Sequence, residues 1–273
     1  MSMASVPGTS LAGRRWRPPP LIKRRWLRWT LGLGVALYLA AAFGTIEVNW
    51  SRVYDGLPRG QAFLAAFFPP DFTSRWEEIL DGINESLWMT VASTVVGIAI
   101  SVPVGLGAAR NIAPAPVYYF CRSIIAVSRS FQEVLLAIFF VKLFGFGPFA
   151  GFVTLSFATI GFFAKLLAED IEDMDPTQAE AVRATGAGWF QWLNYAVQPQ
   201  VLPRFIGLSL YRFDINFRES AVVGIVGGGG IGATLNTAFE RYEFDSAAAI
   251  LLVIIAIVMA IEYLSGYVRK WVQ

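Results

Sequence analysis

The sequence predicts an all-α membrane protein, a bundle of about six transmembrane helices with both termini in the cytoplasm. Three observations predict it. Of 273 residues, 55% are hydrophobic and only 15% charged, with a mean hydropathy of +0.53, whereas soluble domains carry about 25% charge. Apolar stretches of about 20 residues, the length that crosses a bilayer core, recur along the chain. Basic residues gather at the segments that an inward N-terminus and six crossings place inside.

Residues 1–28 form a basic leader with Arg14, Arg15, Arg17, a Pro18–Pro20 run, Lys23, Arg24, Arg25 and Arg28. It is long and Pro-rich and lacks a clearly placed small-residue cleavage site, unlike a removable signal. Positive charge beside a first span fixes orientation, and no nucleic-acid fold signal accompanies it. Residues 29–273 are expected to be one transmembrane domain in the lipid bilayer. Span one covers about Trp29–Ile46, followed by an outer stretch, Glu47–Glu85, in which Pro69-Pro70 breaks any helix. Span two is about Leu87–Ala109. Span three, ending near Gly145, is one tilted or broken helix carrying Arg122, Arg129, Glu133 and Lys142. Span four is about Pro148–Leu167, span five about Val201–Val226 and span six about Ala247–Tyr263. Arg110, Arg269 and Lys270 then fall inside, and the Gly145 turn and a Gly227–Ser246 loop outside.

Composition removes several functions. There is no histidine and a single cysteine, Cys121, so the commonest general base and metal ligand is missing and no internal disulfide can form. No metal site is expected.

Two stretches concentrate polar groups. The inner loop at about 169–199 has helix punctuation: Asp175 as N-cap, Pro176 at the first helical position, a helix over Thr177–Thr185 and Gly186 as terminator. A second amphipathic piece follows with Trp189, Phe190, Trp192, Leu193 and Tyr195, and Pro199 and Pro203 start span five. By physics alone such a piece is equally an interfacial helix or a docking helix. Span five holds Arg212, Asp214, Asn216, Arg218 and Glu219. At about 100° per residue, Arg212, Asn216 and Glu219 share one face, while Asp214 and Arg218 share another at i,i+4. Arg212 and Glu219, two turns apart, are not expected to pair directly. On span three, Arg122, Arg129 and Glu133 form a further stripe, with Arg129 and Glu133 at i,i+4. Charges at membrane depth face a bundle interior or water, so these faces either lock spans together or line a route. The run Gly227, Gly228, Gly229, Gly230 and Gly232 lacks the Lys-Ser or Lys-Thr of a phosphate loop, and glycines there suit a turn or gate.

The inner loop resembles the signature of ABC importer permeases, E-A-A-x3-G-x9-I-x-L-P. Glu180, Ala181, Gly186 and Pro199 fall on its positions, with Val182, Ala196 and Gln198 as departures. The stretches FFPPDF (67–72), GPFAG (147–151), AVRATGA (181–187), PQVLP (199–203), SLYRF (209–213) and VVGIVGGGGIG (222–232) resemble the phosphonate-type permeases over roughly residues 63–267. Methionine-type permeases share the loop and the glycine run.

This resemblance implies a type I importer of the bacterial inner membrane, with two copies of this chain, two ATPase subunits and an extracytoplasmic substrate-binding protein. ATP and magnesium would bind the ATPase, and this chain would carry no cofactor and perform no chemistry. The loop would be a coupling helix: small Ala181, Ala184 and Gly186 allow close approach, Glu180 and Arg183 supply rim contacts, and Trp189 and its aromatic neighbours fill a pocket on the ATPase. The face of Arg212, Asn216 and Glu219 would be the anion path, with Arg122, Arg129 and Glu133, and Asp214–Arg218 an internal pair. The alternatives are a permease for another small solute such as methionine or, in a different class, an intramembrane lipid enzyme.

Overall fold

In the computed structural model, residues 22, 24–45 and 49–272 are described. Most of the basic leader lies outside them, as do Glu47 and the Arg269 side chain. Among the described residues the chain is helical, with no strand. Residues 1–60 and 61–273 form separate units. The first holds α1 (Arg25–Thr45), which has no buried residue, and most of α2 (Trp50–Ala65), which contains Pro58.

The second unit begins with a turn containing the cis Phe68-Pro69 peptide. Asp71 closes this turn, accepting from the Thr73 amide at 2.8 Å and the Thr73 hydroxyl at 2.7 Å, and from Ser74. The Ser74 hydroxyl first, and then the Thr73 hydroxyl and amide, hold its carboxyl well below the usual carboxylate range. Then α3 (Trp76–Ala108) starts eleven residues before the expected span two. Arg75 ties its first turn to Glu78 at 3.2 Å and to Glu243 at 2.8 Å.

The central pair is α3 against α6 (Pro148–Glu172). Small buried residues on α3, among them Ser93, Gly97, Ser101 and Gly105, let the backbones approach closely: Gly97 lies against Thr159 and the Ser156 carbonyl, and Gly105 against Leu167 and the Ala164 carbonyl. Span three is two helices, α4 (Ala115–Ser130) and α5 (Glu133–Phe144), meeting at 91° across the extended residues Phe131 and Gln132. The i,i+4 relation expected between Arg129 and Glu133 is therefore lost: they flank a break instead of sharing a helical face.

The inner loop forms α7 (Pro176–Ala184), the short α8 (Trp189–Trp192) and a π-helical turn, Leu193–Val197, that leads into α9 (Gln198–Val223). A second π-helical turn, Gly224–Gly228, precedes α10 (Gly230–Glu240), and α11 (Phe244–Val272) ends the chain. The expected Gly227–Ser246 loop is thus mostly helix. Ile231, Leu235 and Ala238 recur at helical spacing and bury against Ile79, Ala247 and Ile250, and that burial folds α10 back into the bundle. Four helices are long and apolar enough to cross a membrane, and six spans result when each bent pair counts as one.

Candidate functional site: a charged node at mid-depth and an exposed inner loop

The charges of α9 sit halfway through the bundle. Asn216 donates to the Thr94 hydroxyl at 2.8 Å and to the Thr159 hydroxyl at 3.1 Å. Thr159 is the twelfth of 25 residues in α6 and Thr94 the nineteenth of 33 in α3, so one amide in the second half of α9 joins α3 and α6 near their middles. Asn216 is fully buried and satisfied there, as a buried amide must be.

Arg212 lies one turn away and is 2% exposed. Its Nε donates to the Thr159 hydroxyl at 3.0 Å, its guanidinium lies 5.4 Å from the Phe162 ring centre, and its Nη2 faces Glu219 at 3.4 Å and Glu133 at 3.9 Å. The pairing of Arg212 with Glu219 overturns the sequence expectation. Seven residues bring a helix back to nearly the same face, and two long side chains span the two turns between them. Asp214 and Arg218 pair at i,i+4 as expected; Asp214 is buried and Arg218 is 47% exposed.

The span-three stripe divides. Arg122 donates to the Ala108 carbonyl and to Glu172, both at 2.9 Å, where α3 ends and α6 ends. Glu172 also accepts from the Arg110 amide at 2.7 Å, and Asn111 donates to the Ile171 carbonyl at 2.7 Å. Arg122 is thus a latch at the inner end of the bundle and stands apart from the mid-depth charges. Arg129 and Glu133 do reach the node. With Ser128, Phe131, Ala158, Phe162 and Arg212 they line a cavity of about 190 Å³ at the α4–α5 break. Ser128 fixes the depth of that break, donating to the Phe157 carbonyl at 2.7 Å and accepting from the Gly161 amide at 3.1 Å, both near the middle of α6.

The glycine run builds a bend. Gly227, Gly229 and Gly230 have φ of 102°, 77° and 72°, a region in which a side chain is strained. The Gly147 amide donates to the Gly227 carbonyl at 3.0 Å. The amides that open α10 are already taken: Gly230 donates to Glu85 at 2.6 Å and Ile231 to Ser86 at 2.9 Å. Gly228 is buried among Val223 atoms and Gly232 against the Ala221 carbonyl.

In the inner loop, the Asp175 carboxylate accepts from the Thr177 amide at 2.9 Å, capping α7, and Gly186 at φ 81° ends the segment. Glu180, Ala181, Arg183, Ala184, Gly186, Trp189 and Pro199 are all exposed. With Trp189, Phe190 and Tyr195 also exposed, the loop presents an apolar and charged surface together. Trp192 differs from its aromatic neighbours. It is 2% exposed, its indole donates to the Ala179 carbonyl at 3.0 Å, and the Arg183 guanidinium lies 4.3 Å from its ring centre. It clamps α7 onto the start of α9, a role that sequence spacing, which groups it with the docking aromatics, does not separate. At the same end the Asp175 amide donates to Gln200 at 2.9 Å, and Arg204 pairs with the buried Asp170 at 2.8 Å. No cluster of three or more potential metal ligands occurs among the described residues.

A helical chain with up to six candidate spans, charged groups buried between helices of its second unit and an exposed helical loop between two spans, is of the class of multi-pass membrane proteins. A chain from inward-facing conformations of the MetNI methionine ABC transporter superposes with a TM-score of 0.64 at 24% identity, covering 71% of this chain and 96% of that one. An amino acid ABC transporter gives 0.61 at 19% identity, covering 73% and 98%. These likenesses give the fold, that of the type I ABC importer permease. The chain belongs to the family of binding-protein-dependent transport system inner membrane components, which matches residues 101–273, and it is a multi-pass protein of the inner membrane. It is 40% identical over 231 residues to the Phosphate-import permease protein PhnE of Mycolicibacterium smegmatis, covering 84% of this chain but 43% of that relative's length. It is 37% identical over 238 residues to the Phosphite transport system permease protein PtxC of Stutzerimonas stutzeri, covering 87% and 86%.

Proposed function

We propose that this chain is the permease subunit of an ABC importer that carries phosphorus oxyanions, of the phosphate, phosphite and phosphonate type, into the cytoplasm. The observation that carries this reading is the 37–40% identity over most of the chain to permeases named for phosphate and phosphite. Permeases named for D-methionine reach 25% and 28%, which favours a phosphorus solute. In this reading two copies of the chain enclose the route and a substrate-binding protein delivers the anion from outside. Two ATPase subunits bind ATP and magnesium and dock on the exposed surface of α7 and α8. The chain itself performs no chemistry. Arginine suits the anion because its planar donor fork matches phosphorus oxygens, and the Arg212, Asn216 and Glu219 face of α9 supplies it at mid-depth. Arg218 and Asp214 offset one another, and the Gly227–Gly232 bend serves as a gate hinge near the outer end.

The test is ATP-dependent uptake by the complete complex in proteoliposomes, with phosphate, phosphite, methylphosphonate and methionine as competing solutes. Uptake of a phosphorus oxyanion supports the reading. Uptake of methionine alone contradicts it, and product formation from lipid by the purified chain alone would indicate the enzyme alternative.

A further inference from the structure

The cavity at the α4–α5 break has a charge arrangement that packing alone does not require. It is lined by two cations, Arg129 on α4 and Arg212 on α9, and by one carboxylate, Glu133 on α5; a second carboxylate, Glu219 on α9, lies against Arg212 outside that lining. The four charges sum to zero. The pairing is loose: Arg212 meets its carboxylates at 3.4 and 3.9 Å, whereas charge-assisted N–H···O contacts lie at about 2.7–2.9 Å. Arg129 is exposed and, among the described residues, has no carboxylate within the 4.0 Å of an ion pair. Its neighbour Ser128 fixes it near the middle of α6, where an unpaired cation facing hydrocarbon is costly. The broken backbone between α4 and α5 points the same way, because non-helical backbone at membrane depth survives only inside protein or beside water. The first turn of α5 begins at Glu133 and opens on the same space.

We propose that this cavity is a transient oxyanion site on the import route, and that Glu219 and Glu133 occupy the anion's place on Arg212 when the site is empty. This deepens the proposed function and rests on it. An arriving tetrahedral oxyanion bridges Arg129 and the Nη2 face of Arg212 and displaces Glu219. On departure the carboxylate returns. The exchange keeps Arg212 neutralised at every stage, so the anion is held without being trapped. Thr159, which stays on the Nε of Arg212 at 3.0 Å, keeps the guanidinium aimed while its outer face changes partner.

The experiment uses the assembled permease–ATPase complex in nanodiscs, with inorganic phosphate as the probe and no binding protein present. In the wild type, phosphate leaves the thermal transition unmoved, because Arg212 is already neutralised. In Glu219→Gln, phosphate raises it, and uptake turnover falls about tenfold for each tenfold gained in anion affinity, since only the bound ground state has been stabilised. Adding Arg129→Gln to Glu219→Gln abolishes the phosphate-dependent rise. A folded Glu219→Gln complex with no phosphate response and wild-type turnover overturns the proposal while anion import stands. Should Glu219→Gln fail to assemble, the exposed Arg129→Gln decides. A raised KM for binding-protein-delivered phosphate, with delivery-protein affinity unchanged, supports the site, and unchanged uptake overturns it. A wild-type complex that imports methionine and no phosphorus oxyanion overturns the site and the proposed function together.

Discussion

Trp192→Ala should uncouple the inner loop from the span it precedes. In the structure this residue holds α7 against the segment that leads into α9, beside the Asp175–Gln200 hydrogen bond: Ala179 is buried with it, the indole N–H reaches the Ala179 carbonyl at 3.0 Å, and Arg183 covers the ring face. Removing a fully buried tryptophan costs about 3–5 kcal/mol, a figure that already includes the packing lost around the ring. About 3 kcal/mol changes the ratio of docked to undocked α7 by roughly two orders of magnitude. Trp192→Phe keeps most of the ring contact and forfeits the indole hydrogen bond, about 1 kcal/mol. In the reconstituted complex, Trp192→Ala should retain basal ATPase activity but lose binding-protein stimulation and uptake, and Trp192→Phe should fall between it and wild type. The reasoning is refuted if an assembled Trp192→Ala complex is stimulated and transports as wild type does.

Three further outcomes are expected. Asn216→Leu removes the donor shared by Thr94 and Thr159 and should cost about 1–3 kcal/mol, read as a lowered thermal transition. Gly230→Ala places a side chain at φ 72° and drives its Cβ into the Ser86 hydroxyl. The left-handed strain alone is about 1–2 kcal/mol, and the complex should melt earlier with reduced uptake. The Asp71 turn should survive mild acid. Its carboxyl is depressed by hydroxyl and amide donors, so the stabilisation is complete above the ordinary carboxylate pKa and is lost only as pH falls through the lower folded value. Hydrogen exchange at the Thr73 and Ser74 amides should therefore be unchanged, after correction for intrinsic rate, between neutral pH and the ordinary carboxylate range. Asp71→Asn should accelerate it throughout.

The inner loop was legible because its signals are local. An Asp-Pro start, a nine-residue helix and a glycine stop leave little freedom, and the Asp214–Arg218 pair followed from i,i+4 spacing. What the sequence concealed depends on tertiary packing. No proline or glycine marks the Phe131–Gln132 break, which is stabilised by what lies across from it on α6 and α9. The glycine run looked like a loop, yet the residues after it carry an apolar stripe that folds as α10. Arg122 and Arg129 share a helix and sit at different depths, one on Glu172 at the inner end and one beside the node. Helical periodicity assigns a face and leaves the depth of the partner open. Trp192 and Trp189 differ by three positions, and only the packing of α7 separates the clamp from the exposed surface.

The central claim is that the mid-depth arginine on α9 serves the anion and not merely the packing. The most direct measurement is phosphate uptake by the double variant Arg212→Met, Glu219→Gln, assembled with its ATPase and supplied by the native binding protein. This exchange removes both charges at similar volume, and replacing a buried ion pair in that way is often neutral for stability. The account predicts an intact complex with uptake lost. Wild-type uptake by that complex would contradict it.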